Sequence, residues 1–366
     1  MAGIYIHIPF CKSRCIYCGF YSTTSLKLRQ RYVDAVCHEA SFLPAREPVG
    51  TIYLGGGTPS QLTIPQLQQL FDALYIYNNV EKTAEVTIEC NPDDVTPEFA
   101  KALTALPVNR ISMGVQTFCN ERLRFLHRRH TAQQAREAVS RLRQTGFQNI
   151  SIDLMYGFPG ETIEDWQADI DSALALGVEH LSAYCLMIEE DTPLYRMQTE
   201  PVDEELERQM YYTLIDRLEA AGYEHYEISN FARSGFRSRH NSSYWNQTPY
   251  IGLGAAAHSY DGKICRRWNV SDIRQYMEGI ENEQPCFEQE LLDDDTRYND
   301  AITTALRTKD GLDLSQLSER HRQFCLREAR HFIDSGLLRL SSDQHLSLTR
   351  QGLFVSDMVM SELIMV

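Results

Sequence analysis

Short runs of β-branched and aromatic residues alternate, over the first 190 residues or so, with longer segments of helical spacing. The pattern predicts six strands, at residues 3–8, 51–54, 85–89, 110–113, 149–154 and 180–186. It predicts helices at residues 26–43, 65–77, 97–106, 120–145, 163–176 and 204–221. Repeated strand–helix alternation is typical of a parallel sheet with right-handed crossovers, which a Rossmann fold and a barrel both satisfy.

Polar residues follow the ends of nearly all the predicted strands, and this placement favours a barrel. The strands of a parallel barrel open onto one face, whereas a doubly wound sheet gathers its site at one switch point. No GxGxxG motif follows the first strand either. We therefore expect an α/β partial barrel over residues 1–229.

The rest of the chain divides into two further parts. Residues 230–290 are rich in Gly, Ser and aromatic side chains with little periodicity, which predicts a connecting segment. Residues 291–366 show helices, a possible hairpin at 337–348 and a final helix. That order resembles a winged helix, but this part holds more acidic than basic residues, so we expect no DNA binding by it.

Composition narrows the class of protein. The 366 residues carry 35 Lys and Arg against 50 Asp and Glu, a net charge of −15 that disfavours nucleic acid as a partner. Ten cysteines are too sparse for a disulfide scaffold. No secretory signal and no apolar run of membrane-spanning length is visible, so we expect a cytoplasmic protein that is not itself a membrane protein.

The strongest chemical signal is a triplet of cysteines, Cys11, Cys15 and Cys18, directly after the first predicted strand. Soft thiolates select zinc, copper or iron–sulfur clusters. A structural zinc site normally has four protein ligands, and no second CxxC pair is present to supply the fourth. Three cysteines on a four-iron cluster leave one iron free for an external ligand. A structural zinc site remains the alternative.

The CxxxCxxC spacing resembles the signature of the radical S-adenosylmethionine superfamily. The resemblance implies a [4Fe-4S] cluster on these three cysteines and a partial (β/α)6 radical-SAM barrel with a C-terminal helical, winged-helix-like domain. It also implies that the free iron binds S-adenosylmethionine (SAM), whose methionine moiety the GGGTP loop after the second strand would hold. Residues that would line the SAM pocket by this resemblance are Tyr5, Tyr17, Gly56, Gly57, Thr58, Glu89, Gln116, Asp153 and Arg128, the last predicted within the helix after Gln116.

Further motifs narrow the resemblance to the oxygen-independent coproporphyrinogen III oxidase group, over most of the first 260 residues. These motifs are YIHIPFC, GGGTP, IECNP, RISMGVQ and IDLMYG. The group has an oxidase branch, whose triplet extends to CxxxCxxCxC, and a heme chaperone HemW branch, which has an aromatic residue at the added position. Phe20 occupies that position here. The resemblance therefore implies a heme chaperone, with radical oxidative decarboxylation of coproporphyrinogen III as the alternative and enzyme activity left open.

The stretch HNSSYW fits the HNxxYW motif of the chaperone branch and makes His240, Tyr244 and Trp245 candidates for heme binding. An imidazole can ligate heme iron, and aromatic rings offer flat surfaces to a porphyrin. Without the resemblance, packed aromatic rings around a hydrogen-bonded histidine would be the commoner arrangement. His258 is a rival ligand. The implied partners are heme and membrane-associated hemoprotein acceptors, and the acidic charge predicts delivery through protein contact.

Overall fold

The structure, a computed structural model, describes residues 1–365. Its centre is a parallel sheet of six strands in chain order, each flanked by helices on the outer face. The strands are β1 (Ala2–Ile8), β2 (Val49–Gly56), β3 (Val80–Cys90), β4 (Arg110–Gln116), β5 (Ile150–Tyr156) and β6 (His180–Cys185). The helices are α1 (Arg29–Phe42), α2 (Ile64–Tyr77), α3 (Pro97–Leu103), α4 (Asn120–Phe125), α5 (Ala132–Gln144), α6 (Ile163–Ala175), α7 (Pro193–Arg196) and α8 (Glu204–Ala220).

Alternation along the strands decides what faces inward. On β1, Ile4, Ile6 and Ile8 are fully buried in the main hydrophobic core beneath the helices. The intervening Tyr5 and His7 point to the other face of the sheet, where Tyr5 contacts the Tyr53 ring of β2. The barrel interior is therefore lined by polar and aromatic side chains, while the outer face supplies the apolar core.

The helix predicted at residues 120–145 is wrong, because the structure divides it into α4 and α5. His127, with φ 58°, ends the first helix in the left-handed region. Thr131 then begins the second as an N-cap, and Gln134 completes a capping box with it. Arg128, predicted within a helix, lies instead in the loop between α4 and α5.

Short strands extend the sheet at both edges. On the β6 edge lie β7 (Glu224–Glu227) and β8 (Asn230–Ala232). On the β1 edge, β9 (Tyr250–Leu253) pairs in parallel with β1 and is followed by the antiparallel β10 (His258–Tyr260), β11 (Cys265–Asn269) and β12 (Phe287–Leu291). The hydrogen-bonded order thus has two free edges and the barrel stays open.

Between these edge strands, helix α9 (Arg239–Trp245) lies inside the barrel near the amino ends of the strands. Ser238 is its N-cap and accepts a hydrogen bond from the Asn241 N–H (3.3 Å). Glu85 of β3 accepts bonds from the N–H groups of Arg239 (3.2 Å) and His240 (3.0 Å). A buried carboxylate at a helix N-terminus is favourable, so Glu85 fixes α9 as the floor of the barrel.

A helical C-terminal domain has its own hydrophobic cluster, drawn from residues between Tyr298 and Leu363. It is reached through α10 (Ile273–Glu281) and contains α11 (Asp294–Ala305), β13 (Leu312–Asp313), α12 (Glu319–Asp334), β14 (Leu338–Leu340), β15 (His345–Leu348), α13 (Arg350–Phe354) and α14 (Ser356–Leu363). An Arg307–Glu227 ion pair (2.8 Å) joins it to β7. Across residues 1–365, no helix has the length and apolar character needed to cross a membrane.

Candidate functional site

A cavity of about 650 Å³ opens at the carboxyl ends of the six central strands. The loop after β1 places Cys11, Cys15 and Cys18 along its wall. Eight of the nine residues predicted for the SAM pocket also line this cavity: Tyr17, Gly56, Gly57, Thr58, Glu89, Gln116, Arg128 and Asp153. Residues far apart in the sequence converge here because parallel strands deliver their carboxyl ends to one face.

The cysteine loop is anchored on both sides. The Cys11 N–H donates to the Thr23 carbonyl oxygen (3.0 Å), and the Ile16 N–H donates to the Leu126 carbonyl oxygen (3.3 Å). Ile16, 3% exposed, packs with Leu126 and Phe158 in a small apolar cluster. Burying Ile16 between the cysteines leaves the thiols directed to the cavity, so the loop is held open around a centre.

The three thiols line the same cavity. Burial raises the pKa of the Cys11 and Cys18 thiols, and the neighbouring Cys15 raises both further. Within residues 1–365, no group of three His, Cys, Asp or Glu side chains is arranged to hold one metal ion. Three cysteines beside one cavity are the set of protein ligands with which a four-iron cluster keeps one iron open.

The GGGTP loop approaches the cysteine loop too closely for side chains at two positions. A Cβ on Gly57 would lie 2.8 Å from the Pro9 carbonyl carbon, and Gly56 has φ 107°. Thr58 follows, with Oγ1 at 3.5 Å from the Cys11 Sγ. Glycine is required here because only backbone fits between the loops, which leaves the cavity wall lined with polar backbone and the Thr58 hydroxyl.

Two buried carboxyl groups face the cavity. Glu89 Oε1 accepts a hydrogen bond from the Tyr53 hydroxyl (2.8 Å), and Oε2 accepts one from the Gly56 N–H (3.2 Å). Burial raises the pKa of Glu89 to about 7 and that of Asp153 to about 6. The charge of Asp153 adds to the rise at Glu89. A site that holds two carboxyl groups away from water favours a cationic ligand with hydroxyl groups.

Arg128 connects the thiols to this polar wall. Its Nη1 lies 3.6 Å from the Cys15 Sγ, and Nη2 donates to Asn91 Oδ1 (2.7 Å) and to the Gly114 carbonyl oxygen. Its Nε is buried and, among residues 1–365, has no hydrogen-bond partner. A guanidinium N–H left unpaired at a cavity is a donor available to an acceptor atom of a ligand.

Gln116 ends β4 in a strained conformation, with φ 68°. A Cβ on Gly114 would lie 2.8 Å from Gln116 Nε2 and 3.1 Å from Arg128 Nη2, so glycine at 114 makes room for both side chains. A residue other than glycine in the left-handed region persists only where its surroundings fix it. The Gln116 side chain held in this way lines the cavity.

Several cavity residues were missed by the sequence analysis. Tyr53, Arg110, Ser112 and Asn91 line the cavity, and so does Asn241 of the HNxxYW motif. Tyr53 and Gly55 point to the same face of β2, and Arg110 and Ser112 point to the same face of β4. The two-residue spacing along each strand was therefore the signal that could have found these cavity residues. Asn241 could not be placed, because nothing in the sequence shows that α9 enters the barrel.

The heme candidates lie in the barrel floor. His240 is 1% exposed, with Nδ1 at 2.8 Å from Thr51 Oγ1 and Nε2 at 2.9 Å from the Tyr244 hydroxyl oxygen. Tyr5, the remaining residue predicted for the SAM pocket, stacks on the His240 ring (6.4 Å between centroids). The Arg307 guanidinium covers the Trp245 ring at 5.0 Å. In this conformation neither nitrogen of His240 is free to bind iron.

His258 differs from His240 in exposure and in having no hydrogen-bonded partner on its ring within the described residues. It begins β10, is exposed, and stacks on the Trp268 ring of β11 with 5.8 Å between centroids and 22° between planes. Burial of part of the ring and the positive charge of Arg266 lower the pKa of His258. Its imidazole is therefore neutral at pH 7 and keeps a lone pair available for a metal.

Comparisons with known proteins agree with this architecture. A sequence model of the radical SAM superfamily matches residues 5–173, and a model of the HemN C-terminal domain matches residues 292–355. The heme chaperone HemW of Lactococcus lactis is 37% identical over 84% of this chain and 82% of that protein. The heme chaperone HemW of Mycobacterium tuberculosis is 34% identical over 99% of this chain and 94% of that protein.

Among solved structures, coproporphyrinogen III oxidase (HemN) from Escherichia coli, described as a radical SAM enzyme, superposes with a TM-score of 0.85. The match covers 99% of this chain and 90% of that chain at 21% identity, which shows a shared fold. The predicted α/β partial barrel with a C-terminal helical domain is confirmed by this match.

Proposed function

Because the chain belongs to the heme chaperone HemW family of the radical SAM superfamily, we propose that it binds heme and transfers it to hemoprotein acceptors. Superfamily membership implies a [4Fe-4S] cluster and SAM as cofactors. Membrane-associated hemoproteins are the proposed acceptors. The net charge of −15 supports delivery through protein contact, since anionic headgroups would repel much of the surface.

The cavity supplies the groups that these cofactors need. Cys11, Cys15 and Cys18 would hold the cluster, and their spread around the cavity supports that role. The cluster, when bound, supplies an electron that can cleave the sulfonium of SAM. Glu89 and Asp153 would bind the hydroxyl groups and positive charge of SAM, because both carboxyl groups face the cavity and burial raises the pKa of each.

Arg128 would position both cofactors at once. Its guanidinium is fixed by Asn91 and Gly114 and reaches to within 3.6 Å of the Cys15 Sγ. Its Nε, buried and without a partner within residues 1–365, is a further donor for a ligand acceptor. Gln116, which lines the cavity at the end of β4, adds an amide group.

The observation that carries the chaperone proposal over the oxidase alternative is Phe20. Its side chain is 69% exposed at the cavity rim, where the oxidase motif has a further cysteine. An aromatic ring cannot bind iron or donate a hydrogen atom as a thiol can. The residue therefore removes a group that the oxidase motif provides and leaves a flat apolar surface in its place.

Anaerobic incubation of the cluster-reconstituted protein tests the proposal. We expect stoichiometric heme binding on titration with hemin, and transfer of that heme to an apo-hemoprotein. With coproporphyrinogen III, SAM and a low-potential reductant, we expect no product in which vinyl groups replace propionates. Formation of the vinyl product would support the oxidase and overturn the chaperone proposal.

A further inference from the structure

If heme is the cargo, an axial ligand must be exposed somewhere on this chain, and the cavity is a poor place for it. Its lining includes Glu89, Asp153 and Arg128, the groups proposed to hold SAM, so a porphyrin there would compete with SAM for the same space. Helix α9 closes the floor beneath these residues. Heme must therefore bind outside the cavity that would hold SAM.

Four buried histidines, His7, His180, His240 and His321, have both ring nitrogens within hydrogen-bond distance of a partner, so iron binding there would break an existing interaction. Four others have one nitrogen engaged. His130 and His225 direct Nε2 to a backbone carbonyl oxygen, at 3.1 and 3.0 Å, and the second nitrogen of His130 is buried. His331 and His345 pair with carboxylates in the C-terminal domain.

Three histidines remain, and all are exposed: His38, His127 and His258. His38 stands on α1 with its ring edge toward Phe42. His127 is held at φ 58° in the loop next to Arg128. Only His258 of the three stacks face to face on an indole, Trp268, which extends its flat surface.

The surroundings of His258 match the chemistry of heme. Tyr260, two residues along β10, pairs across the strands with Arg266 of β11 and with Tyr250 of β9. Together with Trp268, these side chains give aromatic surface and one cation near the imidazole. Heme has the complementary pattern, an aromatic plane with two carboxylates at one edge. Arg266 also contacts Asp300 of α11, so a propionate would share that guanidinium with an existing partner.

From this arrangement, and resting on the proposed function, we propose that heme binds on the face of strands β9–β11 with the His258 imidazole as axial ligand. Trp268 and Tyr260 pack beside the porphyrin, and Arg266 faces a propionate. The bond forms between a lone pair of neutral His258 and the heme iron and involves no electron transfer.

The HNxxYW motif has a different role in this arrangement. The Tyr244 hydroxyl oxygen lies 2.9 Å from His240 Nε2, and the Tyr244 ring packs edge-on against the Tyr250 ring with 4.8 Å between centroids. Tyr250 in turn contacts Tyr260, with 6.5 Å between ring centroids. The motif thus supports the heme surface from inside the barrel, and His240 is a positioning residue instead of a ligand.

Titration with hemin of the parent, His258→Ala and His38→Ala proteins tests this proposal. His38 is the matched control, because it is also an exposed histidine beside an aromatic ring. We expect His258→Ala to weaken heme binding at least tenfold and to shift the Soret band, with partial recovery on added imidazole. Trp268→Ala should weaken binding severalfold while keeping the parent spectrum. His38→Ala should behave as the parent.

The outcomes separate the two proposals. If the parent protein binds no heme, the proposed function fails. If the parent binds and His258→Ala gives the same affinity and spectrum, the function stands and this ligand assignment is overturned. Equal loss in His38→Ala would also overturn it. Since the His258 side chain is exposed, circular dichroism of His258→Ala should match the parent and exclude misfolding as the cause.

Discussion

Glu85 and Glu89 lie four residues apart on the same face of β3, one at the floor of the barrel and one at its mouth. Glu85 accepts hydrogen bonds from two N–H groups of α9 and lies 4.0 Å from the Arg110 guanidinium. Glu89 receives one hydroxyl and one N–H, faces the cavity, and has a pKa raised to about 7 by burial. The glutamate at the floor therefore stabilises helix α9, whereas the glutamate at the mouth is available to bind a ligand.

The two arginines of the barrel interior differ less than the two glutamates. Arg110 is 1% exposed and lies 4.0 Å from Glu85, and burial together with the Arg110 charge lowers the pKa of His240 and His180. Arg128 contacts Cys15 and is held by Asn91 and the Gly114 carbonyl oxygen. Both arginines line the cavity, and within residues 1–365 the Nε of each is buried without a hydrogen-bond partner. Unused hydrogen-bonding capacity is therefore common to both, and the contact with a cysteine of the triplet is what distinguishes Arg128.

Removing a thiol should have the largest effect of any single change at the mouth. Cys15→Ala leaves two cysteines, too few to retain a four-iron cluster, so we expect loss of the brown chromophore, the bound iron and the acid-labile sulfide. SAM binding should be lost with them, because SAM would bind as a ligand of the open iron. Cys286→Ala, on the edge of the sheet extension, is the matched control and should keep all three. If the Cys15→Ala protein still bound SAM, SAM binding would not depend on the cluster, and this expectation would be contradicted.

The next largest effects are expected from replacing the two glutamates, one of which should change stability and the other SAM binding. Glu85→Gln turns an amide N–H toward the Arg239 N–H and leaves Arg110 without its buried partner, which should lower the free energy of unfolding by about 3–5 kcal/mol. Glu89→Gln should leave the fold intact and weaken SAM binding at least tenfold, about 1.4 kcal/mol or more. Chemical denaturation and equilibrium dialysis measure the two effects. Equal destabilisation by both changes would contradict the division between floor and mouth.

The parts that sequence predicted well are those with a long or repeated signal. Six short β-branched or aromatic strands and a cysteine triplet are local patterns, and the polar residues predicted at strand ends line one cavity. Residues 230–290 read as irregular because their strands are three to five residues long, too short to show a period. Their pairing with β1 and β6 depends on contacts remote in the chain, which local propensity does not contain.

Arg128 and His240 show two further limits. The helix pattern at residues 120–145 continued through His127 because the charged residues there are ordinary helix formers, while the capping box at Thr131 marks a new start. The HNxxYW motif drew attention to the right segment, but whether its imidazole is exposed depends on α9 entering the barrel. Thr51 and Glu85, which hold α9 there, are 189 and 155 residues from His240 in the chain.

The raised pKa of Glu89 also predicts a pH dependence. Its carboxyl group titrates near 4.5 when unfolded and near 7 in the folded protein, so the folded state binds the proton more tightly. Its contribution to stability is complete below pH 4.5 and is lost as the pH rises to 7, a change of about 3 kcal/mol. Glu89→Gln should remove this part of the decline. Urea denaturation of the apoprotein at pH 5 and pH 8 measures it, and parallel declines in parent and variant would contradict the expectation.

The smallest expected effect tests the floor without disturbing its shape. Thr51→Val keeps the volume of the side chain but removes the hydroxyl 2.8 Å from His240 Nδ1, which leaves a buried ring nitrogen unpaired. We expect the free energy of unfolding to fall by about 1–2 kcal/mol, measured by thermal or urea denaturation. Cluster content, SAM affinity and the Soret band of the heme complex should all match the parent, since none of these depends on His240 as a ligand. A shifted Soret band in Thr51→Val would place the heme iron next to His240 and would require α9 to leave the barrel when heme binds.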